Sequence, residues 1–235
     1  MSPDFKHHAA LVLQYGLTLV MIVYLVKQVR KPTRWIGQLF AWLMNMSHSP
    51  LTDWGLKHVE VEQQFTILDV GCGGGRTVQK LALKAIEGKV YGVDYAKGSV
   101  AASRTKNAGL IESGRVEIIE ATVSHLPFAA DSFDLVTAVE TQYYWPDLAN
   151  DMREVLRVLK PGGTLVVILE SYKDGAYNAL QRPVMKFLKS TNLSIDDQRE
   201  LFAAAGYVDV RVTEEKKKGW LCAIGRKPTT PVAEL

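Results

Sequence analysis

Short apolar runs alternate with amphipathic stretches along the middle of this chain, between residues 66 and 170. The apolar runs carry hydrophobic residues at consecutive positions, which is typical of strands that are covered on both faces. The stretches between them place their apolar residues at helical spacing. The pattern predicts strands at 67–70, 89–94, 116–120, 133–140 and 164–169, helices at 77–86, 99–107 and 148–159, and a tight turn at 160–163. This alternation indicates an α/β fold with a parallel sheet between two layers of helices.

The C-terminal part of the chain continues the pattern with a different connection. A helix is predicted at 195–205, followed by strands at 208–212 and 220–225. The charged turn between these strands, at 214–219, is too short to hold a crossover helix. The last two strands are therefore expected to pair antiparallel.

A glycine-rich turn follows the first predicted strand and opens the first predicted helix. The sequence there is Asp69-Val70-Gly71-Cys72-Gly73-Gly74-Gly75-Arg76. Glycines let a backbone turn tightly and approach a ligand, and the next helix offers free N–H groups at its start. A dinucleotide site uses the pattern Gly-x-Gly-x-x-Gly. Here Arg76 takes the third glycine position, because Gly75 comes one residue early.

Two carboxylates flank this turn at strand ends. Asp69 would repel a pyrophosphate but attract a cationic amine such as the α-ammonium of S-adenosylmethionine. Asp94 ends the second predicted strand, where it can accept hydrogen bonds from two ribose hydroxyls. The pair favours an amino-acid-bearing nucleoside over a dinucleotide.

Four segments, taken in order, resemble the class I S-adenosylmethionine-dependent methyltransferases, in particular the small-molecule group called methyltransferase type 11. The segments are Leu68-Asp69-Val70-Gly71-Cys72-Gly73-Gly74-Gly75, Tyr91-Gly92-Val93-Asp94, Leu126-Pro127-Phe128-Ala129-Ala130-Asp131-Ser132-Phe133-Asp134-Leu135-Val136 and Glu154-Val155-Leu156-Arg157-Val158-Leu159-Lys160-Pro161-Gly162-Gly163. The resemblance covers about residues 65–170 and does not extend to residues 1–60.

The resemblance implies a Rossmann-like three-layer sandwich, with a seven-stranded, mostly parallel sheet and an antiparallel last strand, preceded here by N-terminal helices. It implies that S-adenosylmethionine is the cofactor and the methyl donor. Thr122 stands where the family often has an Asp that binds the adenine amine, and its hydroxyl can accept that bond more weakly. The implied cofactor-binding residues are Asp69, Gly71, Cys72, Gly73, Asp94, Tyr95, Thr122, Val123 and Glu140.

The residues after the fourth predicted strand are candidates for the methyl acceptor site, because they lie at the ligand-binding end of the sheet. Methyl transfer from a sulfonium is an in-line displacement that mainly needs alignment, and a base is needed only for a protonated acceptor. Glu140 could bind the cofactor or act as that base. Tyr143 and Tyr144 are the other catalytic candidates. Together with Trp145 they are expected to form a wall of the acceptor pocket or to stack on the sulfonium; the alternative is that these rings pack against the next helix.

The N-terminal part has a different composition. Residues 9–26 form an uncharged, mostly apolar run, about 27 Å long as a helix, which is marginal for a bilayer core of about 30 Å. Four basic residues follow within 27–34, which would place the remainder of the chain in the cytoplasm. Residues 35–46 have an amphipathic helical pattern that suits a membrane interface. We expect membrane attachment through residues 9–46; the alternative is a pair of helices that packs on the catalytic domain as a soluble lid.

Composition narrows the remaining possibilities. The formal net charge of +3 does not by itself indicate a nucleic-acid partner, and the two cysteines form neither a disulfide framework nor a metal motif, so we expect no metal. The predicted units are 1–34 (apolar helix and basic flank), 35–60 (amphipathic helix and lid or connector), 61–228 (methyltransferase domain) and 229–235 (tail). The expected function is methyl transfer to a small acceptor that is hydrophobic or lipid-like. The alternatives are a non-catalytic S-adenosylmethionine-binding module and an NAD-dependent oxidoreductase.

Overall fold

A seven-stranded mixed sheet forms the centre of the molecule. The computed structural model describes residues 49–170, 172–173, 175, 186 and 190–229. The strand order is β3-β2-β1-β4-β5-β7-β6. Strands β1 to β5 pair in parallel, whereas β7 is antiparallel to both of its neighbours, β5 and β6. The predicted Rossmann-like sheet with an antiparallel last strand is confirmed.

The described helices and strands follow one another along the chain with short connections. Two short 3-10 turns, at Leu56–His58 and Gln142–Tyr144, accompany them. The elements are α1 (Ser49–Gly55), β1 (Thr66–Val70), α2 (Arg76–Lys84), β2 (Lys89–Asp94), α3 (Lys97–Lys106), α4 (Ala108–Glu112), β3 (Val116–Glu120), β4 (Phe133–Val139), α5 (Leu148–Val158), β5 (Leu159–Leu169), α6 (Ile195–Ala204), β6 (Val208–Glu215) and β7 (Trp220–Arg226).

Helices cover the sheet on both faces, because each central strand is apolar on both of its sides. Successive residues Ile67 and Leu68 of β1 are both fully buried, but they belong to different core clusters. One cluster includes side chains from α1, α2 and α3, and the other includes side chains from α5 and α6. The result is the expected three-layer sandwich, with its core on either side of β1, β4 and β5.

The segment 160–163 differs from its prediction as a tight turn, because it belongs to β5. Gly162 has φ of 80°, and its N–H donates to the carbonyl of Lys227 at 2.9 Å. The N–H of Lys227 donates in return to the carbonyl of Gly163 at 2.8 Å. Backbone pairing between the start of β5 and the segment after β7 therefore continues through the two glycines. They produce a bulge in the strand, and the chain does not reverse its direction there.

Helix α1 packs directly on the sheet. Leu51 is buried, and a Cβ added at Gly55 would lie only 2.4 Å from the side chain of Ile168 in β5. On its outer side, the ammonium of Lys80 in α2 bonds to the Ser49 hydroxyl at 2.9 Å and pairs with Asp53. The chain from residue 49 onwards thus contributes to the core of the domain.

Membrane attachment through residues 9–46 was predicted for a part of the chain that lies outside the described residues. Within the described ranges, no helix has the length and apolar character needed to cross a membrane.

Candidate active site

A cleft opens at the carboxyl ends of β1, β2 and β4, where parallel α/β sheets bind their ligands. It has a volume of about 240 Å³. Of the residues predicted for the site, those that line the cleft are Gly71, Asp94, Tyr95, Thr122, Val123 and Tyr144. The other lining residues are Val70, Val93, Ala121, Thr141, Trp145 and Pro146. None comes from the α1 segment, so the described residues of the predicted lid, 49–58, do not cover this cleft.

Three glycines of the turn between β1 and α2 have a positive φ, and they differ in the space around them. Gly71, Gly73 and Gly75 all have positive φ, at 71°, 51° and 77°. A Cβ on Gly71 would lie 2.1 Å from the Thr141 hydroxyl, and one on Gly75 would lie 2.3 Å from the Ser103 hydroxyl in α3. A Cβ on Gly73 would meet no atom within 4 Å. Gly71 and Gly75 therefore allow close packing within the protein, whereas Gly73 borders open space.

Asp94 lies in the cleft with its carboxylate oriented by the backbone. One oxygen accepts from the N–H of Gly73 at 3.0 Å and the other from the N–H of Ala96 at 2.8 Å. Burial raises the pKa of this carboxyl, and the two amides and the Ser99 hydroxyl partly offset that rise. Each carboxylate oxygen still has a lone pair for a further donor, as two ribose hydroxyls would require.

Asp69 lies deeper than predicted. Its carboxyl is 2% exposed and accepts a hydrogen bond from the Thr137 hydroxyl on β4 at 2.7 Å. Burial raises its pKa to about 7, with the Thr137 bond opposing the rise and nearby Asp94 adding to it. Asp69 does not line the cleft wall, and its raised pKa means that it keeps its proton to a higher pH than a free carboxyl does.

Cys72 has its side chain on the helix side of the turn. The thiol is buried, lies 3.8 Å from the Ser103 hydroxyl, and has a pKa raised by burial. Only the backbone of Cys72 participates in the turn, where its N–H donates to the carbonyl of Val93 at 2.9 Å. Its predicted role in cofactor binding is therefore limited to the backbone.

The three residues predicted to be catalytic point in different directions. Tyr144 lines the cleft, whereas Glu140 and Tyr143 bond to each other, hydroxyl to carboxylate, at 2.8 Å. The Glu140 carboxylate also accepts from the backbone N–H of Glu170 at the end of β5. Glu140 has φ of 56°, which is rare outside glycine and turns the chain sharply after β4. The structure thus connects Glu140 and Tyr143 to the end of β5, whereas Tyr144 faces the cleft.

Three further residues of the same turn line the cleft, and all three belong to the candidate stretch that follows the fourth predicted strand. They are Thr141, Trp145 and Pro146. Trp145 is only 6% exposed, and among the described residues its indole N–H has no hydrogen-bond partner. A buried donor of this kind in a cleft can be satisfied by a ligand oxygen. The signal in the sequence was the run of aromatic residues after β4.

The turn is held in place from α6. Gln142 and Gln198 are both buried, and the Gln198 amide donates to the Gln142 side-chain oxygen at 2.7 Å. This bond connects the 3-10 turn that carries Tyr144 to a helix far along the chain. Gln198 had no recognisable motif, so sequence reasoning could not identify its contribution.

Comparisons with known proteins agree with this geometry. Residues 68–167 match a family model described as a methyltransferase domain. The methyltransferase GfsG of Streptomyces halstedii is 37% identical over 119 residues, which cover 50% of this chain and 42% of that protein. A demethylmenaquinone methyltransferase of Geobacillus stearothermophilus is 30% identical over 190 residues, which cover 67% of this chain and 76% of that protein. A solved S-adenosylmethionine-dependent methyltransferase from Aquifex aeolicus has the same fold, with a TM-score of 0.63, 19% identity, and coverage of 81% of this chain and 98% of that one.

The chain belongs to the class I S-adenosylmethionine-dependent methyltransferases. Its cofactor is therefore S-adenosylmethionine, and the alternative of a dinucleotide is set aside. The cleft fits this cofactor, because Gly73 borders open space beside the oriented carboxylate of Asp94. Asp94 would hold the ribose, and Thr122 and Val123 lie where the adenine is expected.

Proposed function

We propose that this enzyme transfers the methyl group of S-adenosylmethionine to a small, uncharged and hydrophobic acceptor of the lipid-like kind. The observation that carries the proposal is the composition of the cleft: among the described residues that line it, only Asp94 is charged, and its carboxylate is available for the ribose. A charged acceptor would need a countercharge at its end of the cleft. The relative from Geobacillus stearothermophilus, named for an action on demethylmenaquinone, agrees with this class of acceptor.

The cofactor supplies an electrophilic methyl on a sulfonium with a good leaving group, so the residues of the chain have to bind, orient and exclude water. Tyr144 and Pro146 provide an apolar wall for the acceptor, and the Tyr144 ring can face the sulfonium cation of the cofactor. The indole N–H of Trp145, which has no partner in the part of the chain that the structure describes, supports an acceptor that carries an oxygen atom. A hydroxyl acceptor would give up a proton as it is methylated. Glu140 stays a prediction as the base that receives it, because its carboxylate bonds to Tyr143 and to the end of β5 and does not line the cleft.

The location of the enzyme is part of the same proposal. The apolar run 9–26 and its basic flank support attachment of the chain to a membrane, with the catalytic domain in the cytoplasm. A membrane-attached enzyme would meet an acceptor that partitions into lipid.

An acceptor screen with methyl-labelled S-adenosylmethionine tests the proposal. The full chain is incubated in detergent micelles with one of two hydrophobic acceptors, a quinol or a sterol. Parallel samples in the same micelles contain polar amines, thiols or carboxylic acids. We expect label in the organic extract of the quinol or sterol samples. Transfer only to a polar or charged acceptor would refute the acceptor class, and cofactor binding without transfer to any acceptor would favour the non-catalytic module.

A further inference from the structure

The turn between β6 and β7 lies at the same edge of the sheet as the cleft. Strand β7 is antiparallel to β5, and Leu221 near its start pairs with Leu169 at the end of β5. The carboxyl end of β5, the cleft and the β6–β7 turn therefore share one edge. The three lysines of this turn, Lys216, Lys217 and Lys218, are all exposed.

Two tryptophans lie beside these lysines. The Lys218 ammonium lies 4.3 Å from the ring centroid of Trp220, the first residue of β7. The Trp220 ring is 5.8 Å from that of Trp54 in α1, and both rings are half-buried. We call Trp54, Trp220 and Lys216–Lys218 the Trp–Lys surface. It combines partly exposed aromatic rings with basic side chains, as interfacial membrane anchors do.

The charges on this surface are arranged with the cations outermost. Glu214 accepts a hydrogen bond from the Tyr172 hydroxyl at 2.7 Å, and its side chain is 23% exposed. Lys216 pairs with it at 3.2 Å, yet the lysine side chain is 82% exposed. The neighbouring Glu215 is half-buried, whereas Lys217 and Lys218 are exposed. A surface approaching this edge would meet ammonium groups before carboxylates.

We propose that the Trp–Lys surface binds an anionic lipid bilayer and thereby turns the cleft edge of the enzyme towards the membrane. Helix α1, which carries Trp54, begins three residues after the amphipathic stretch 35–46 ends, so any attachment through that stretch would hold this edge near lipid. Lysines near an anionic leaflet are attracted by its surface potential, and tryptophans prefer the headgroup region. This orientation would bring the cleft close to an acceptor that partitions into lipid. That consequence rests on the proposed function, whereas the orientation itself does not.

A site-specific fluorescent label tests the orientation in the full chain. Cys72 and Cys222 are buried, and burial raises the pKa of both thiols, so an exposed engineered cysteine can be labelled selectively. An environment-sensitive dye is attached to Lys217→Cys and, as the matched control, to Lys84→Cys, an exposed lysine at the end of α2 on the opposite edge. Each labelled chain is mixed with vesicles of phosphatidylcholine alone or with added phosphatidylglycerol.

We expect the dye at position 217, and not the dye at 84, to shift its emission to the blue and to lose quenching by acrylamide on phosphatidylglycerol vesicles, with reversal in high salt. No response at 217 on vesicles that retain the chain would overturn the orientation, as would an equal or larger response at 84, beside the exposed Leu83. A response at 217 to duplex RNA or polyglutamate but not to vesicles would overturn the lipid partner. The dye reports no turnover, so failure here leaves the acceptor screen as the separate test of the proposed function.

Discussion

Asp94 is the residue on which cofactor affinity is expected to depend most. Its two oxygens are already oriented by the N–H groups of Gly73 and Ala96. Replacing Asp94 by Asn keeps the shape but removes the charge that strengthens bonds from two ribose hydroxyls. We expect the dissociation constant for S-adenosylmethionine, measured by calorimetry, to rise by about 10- to 100-fold, since bonds to charged groups contribute roughly 1.5–3 kcal/mol.

Glu120→Gln provides the matched control. Glu120 pairs with Asp94 in the β2–β3 register, but its side chain is exposed and does not line the cleft. The same change of carboxylate to amide one strand away should leave the affinity unaltered. Equal losses in both variants, or none in Asp94→Asn, would refute the ribose assignment.

Because of Asp69, the free energy of unfolding is expected to fall as pH rises, whereas a salt-bridged carboxylate would make it increase. Its pKa is raised from 3.8 to about 7, so the folded state binds its proton more tightly than the unfolded state. The stability that it contributes is complete below its unfolded pKa and is lost as pH rises towards the folded pKa. Between about pH 5 and about pH 8 the loss should approach roughly 2–3 kcal/mol.

The neutral variant Asp69→Asn isolates this contribution. In thermal denaturation without cofactor, the melting temperature of Asp69→Asn relative to wild type should rise between about pH 5 and about pH 8. Glu120→Gln, which changes an exposed carboxylate, should follow the wild-type profile. Parallel profiles for wild type and Asp69→Asn would show that Asp69 does not bind its proton near neutral pH.

At the level of elements, the β1–α2 turn is fixed by packing as much as by the ligand. The Gly75 carbonyl accepts from the Asn107 side-chain amide at 3.0 Å, which connects the turn to the end of α3. Gly75→Ala combines a positive φ with contacts to Ser103 and Asn107 shorter than 3 Å. We expect it to lower the free energy of unfolding by roughly 2–5 kcal/mol in urea denaturation, the sum of backbone strain and overpacking.

Gly73→Ala separates these two causes. Gly73 also has a positive φ, but an added Cβ meets no atom within 4 Å. It should cost only the backbone part, roughly 1–2 kcal/mol. Equal losses in the two variants would mean that α3 does not pack on the turn as described.

A second element, the loop before β4, is held by a charged pair on α5. Arg157 bonds to Glu154 at 2.7 Å and donates to the carbonyls of Leu126 and Phe128. Glu154 in turn accepts from the N–H of Leu126 at 2.8 Å, and the Arg157 guanidinium lowers the pKa of its carboxyl. Two of the segments that carried the family resemblance therefore form one structural unit, which borders the expected adenine site.

At the level of the whole molecule, helix α1 is part of the core of the domain. Leu51 and Leu56 are buried against the sheet, and Cys222 lies 3.7 Å from the Gly55 carbonyl. A chain that starts at Ser47 keeps all of α1 and serves as the reference for stability. A chain that starts at Val61 should lose about 3–6 kcal/mol, because two large apolar side chains no longer cover the core.

Urea denaturation of the two shortened chains checks this expectation. Both lack residues 9–46, so a difference between them cannot come from the predicted membrane segment. Equal stability of the two would show that α1 does not contribute to the core and that residues 49–58 only connect the segments on either side.

The sequence alone was sufficient to predict the strands and the residues that stand at strand ends. The alternation of apolar runs and amphipathic stretches predicted the described strands. The signal is clearest for the central strands β1, β4 and β5, because a strand buried on both faces is apolar along most of its length. Asp69 and Asp94 stood at strand ends, where the geometry of a parallel sheet collects ligand-binding groups at one edge. The positions of Thr122 and Val123 were implied by the family resemblance, and both residues line the cleft. The membrane segment stays a prediction.

Only the tertiary structure decided which side chains face the cleft. Glu140 has a positive φ, which is rare for a residue other than glycine and could not be predicted from the sequence. Its carboxylate bonds to Tyr143 and to the end of β5, while Tyr144 faces the cleft. Cys72 and Gly75 contact α3, about 30 residues away, so their local sequence could not reveal that role. The Gln142–Gln198 bond and the seating of α1 on β5 likewise join distant segments. The sequence by itself determined the layers and the cofactor edge, since these follow from periodicity, whereas side-chain direction depends on neighbours that only folding brings together.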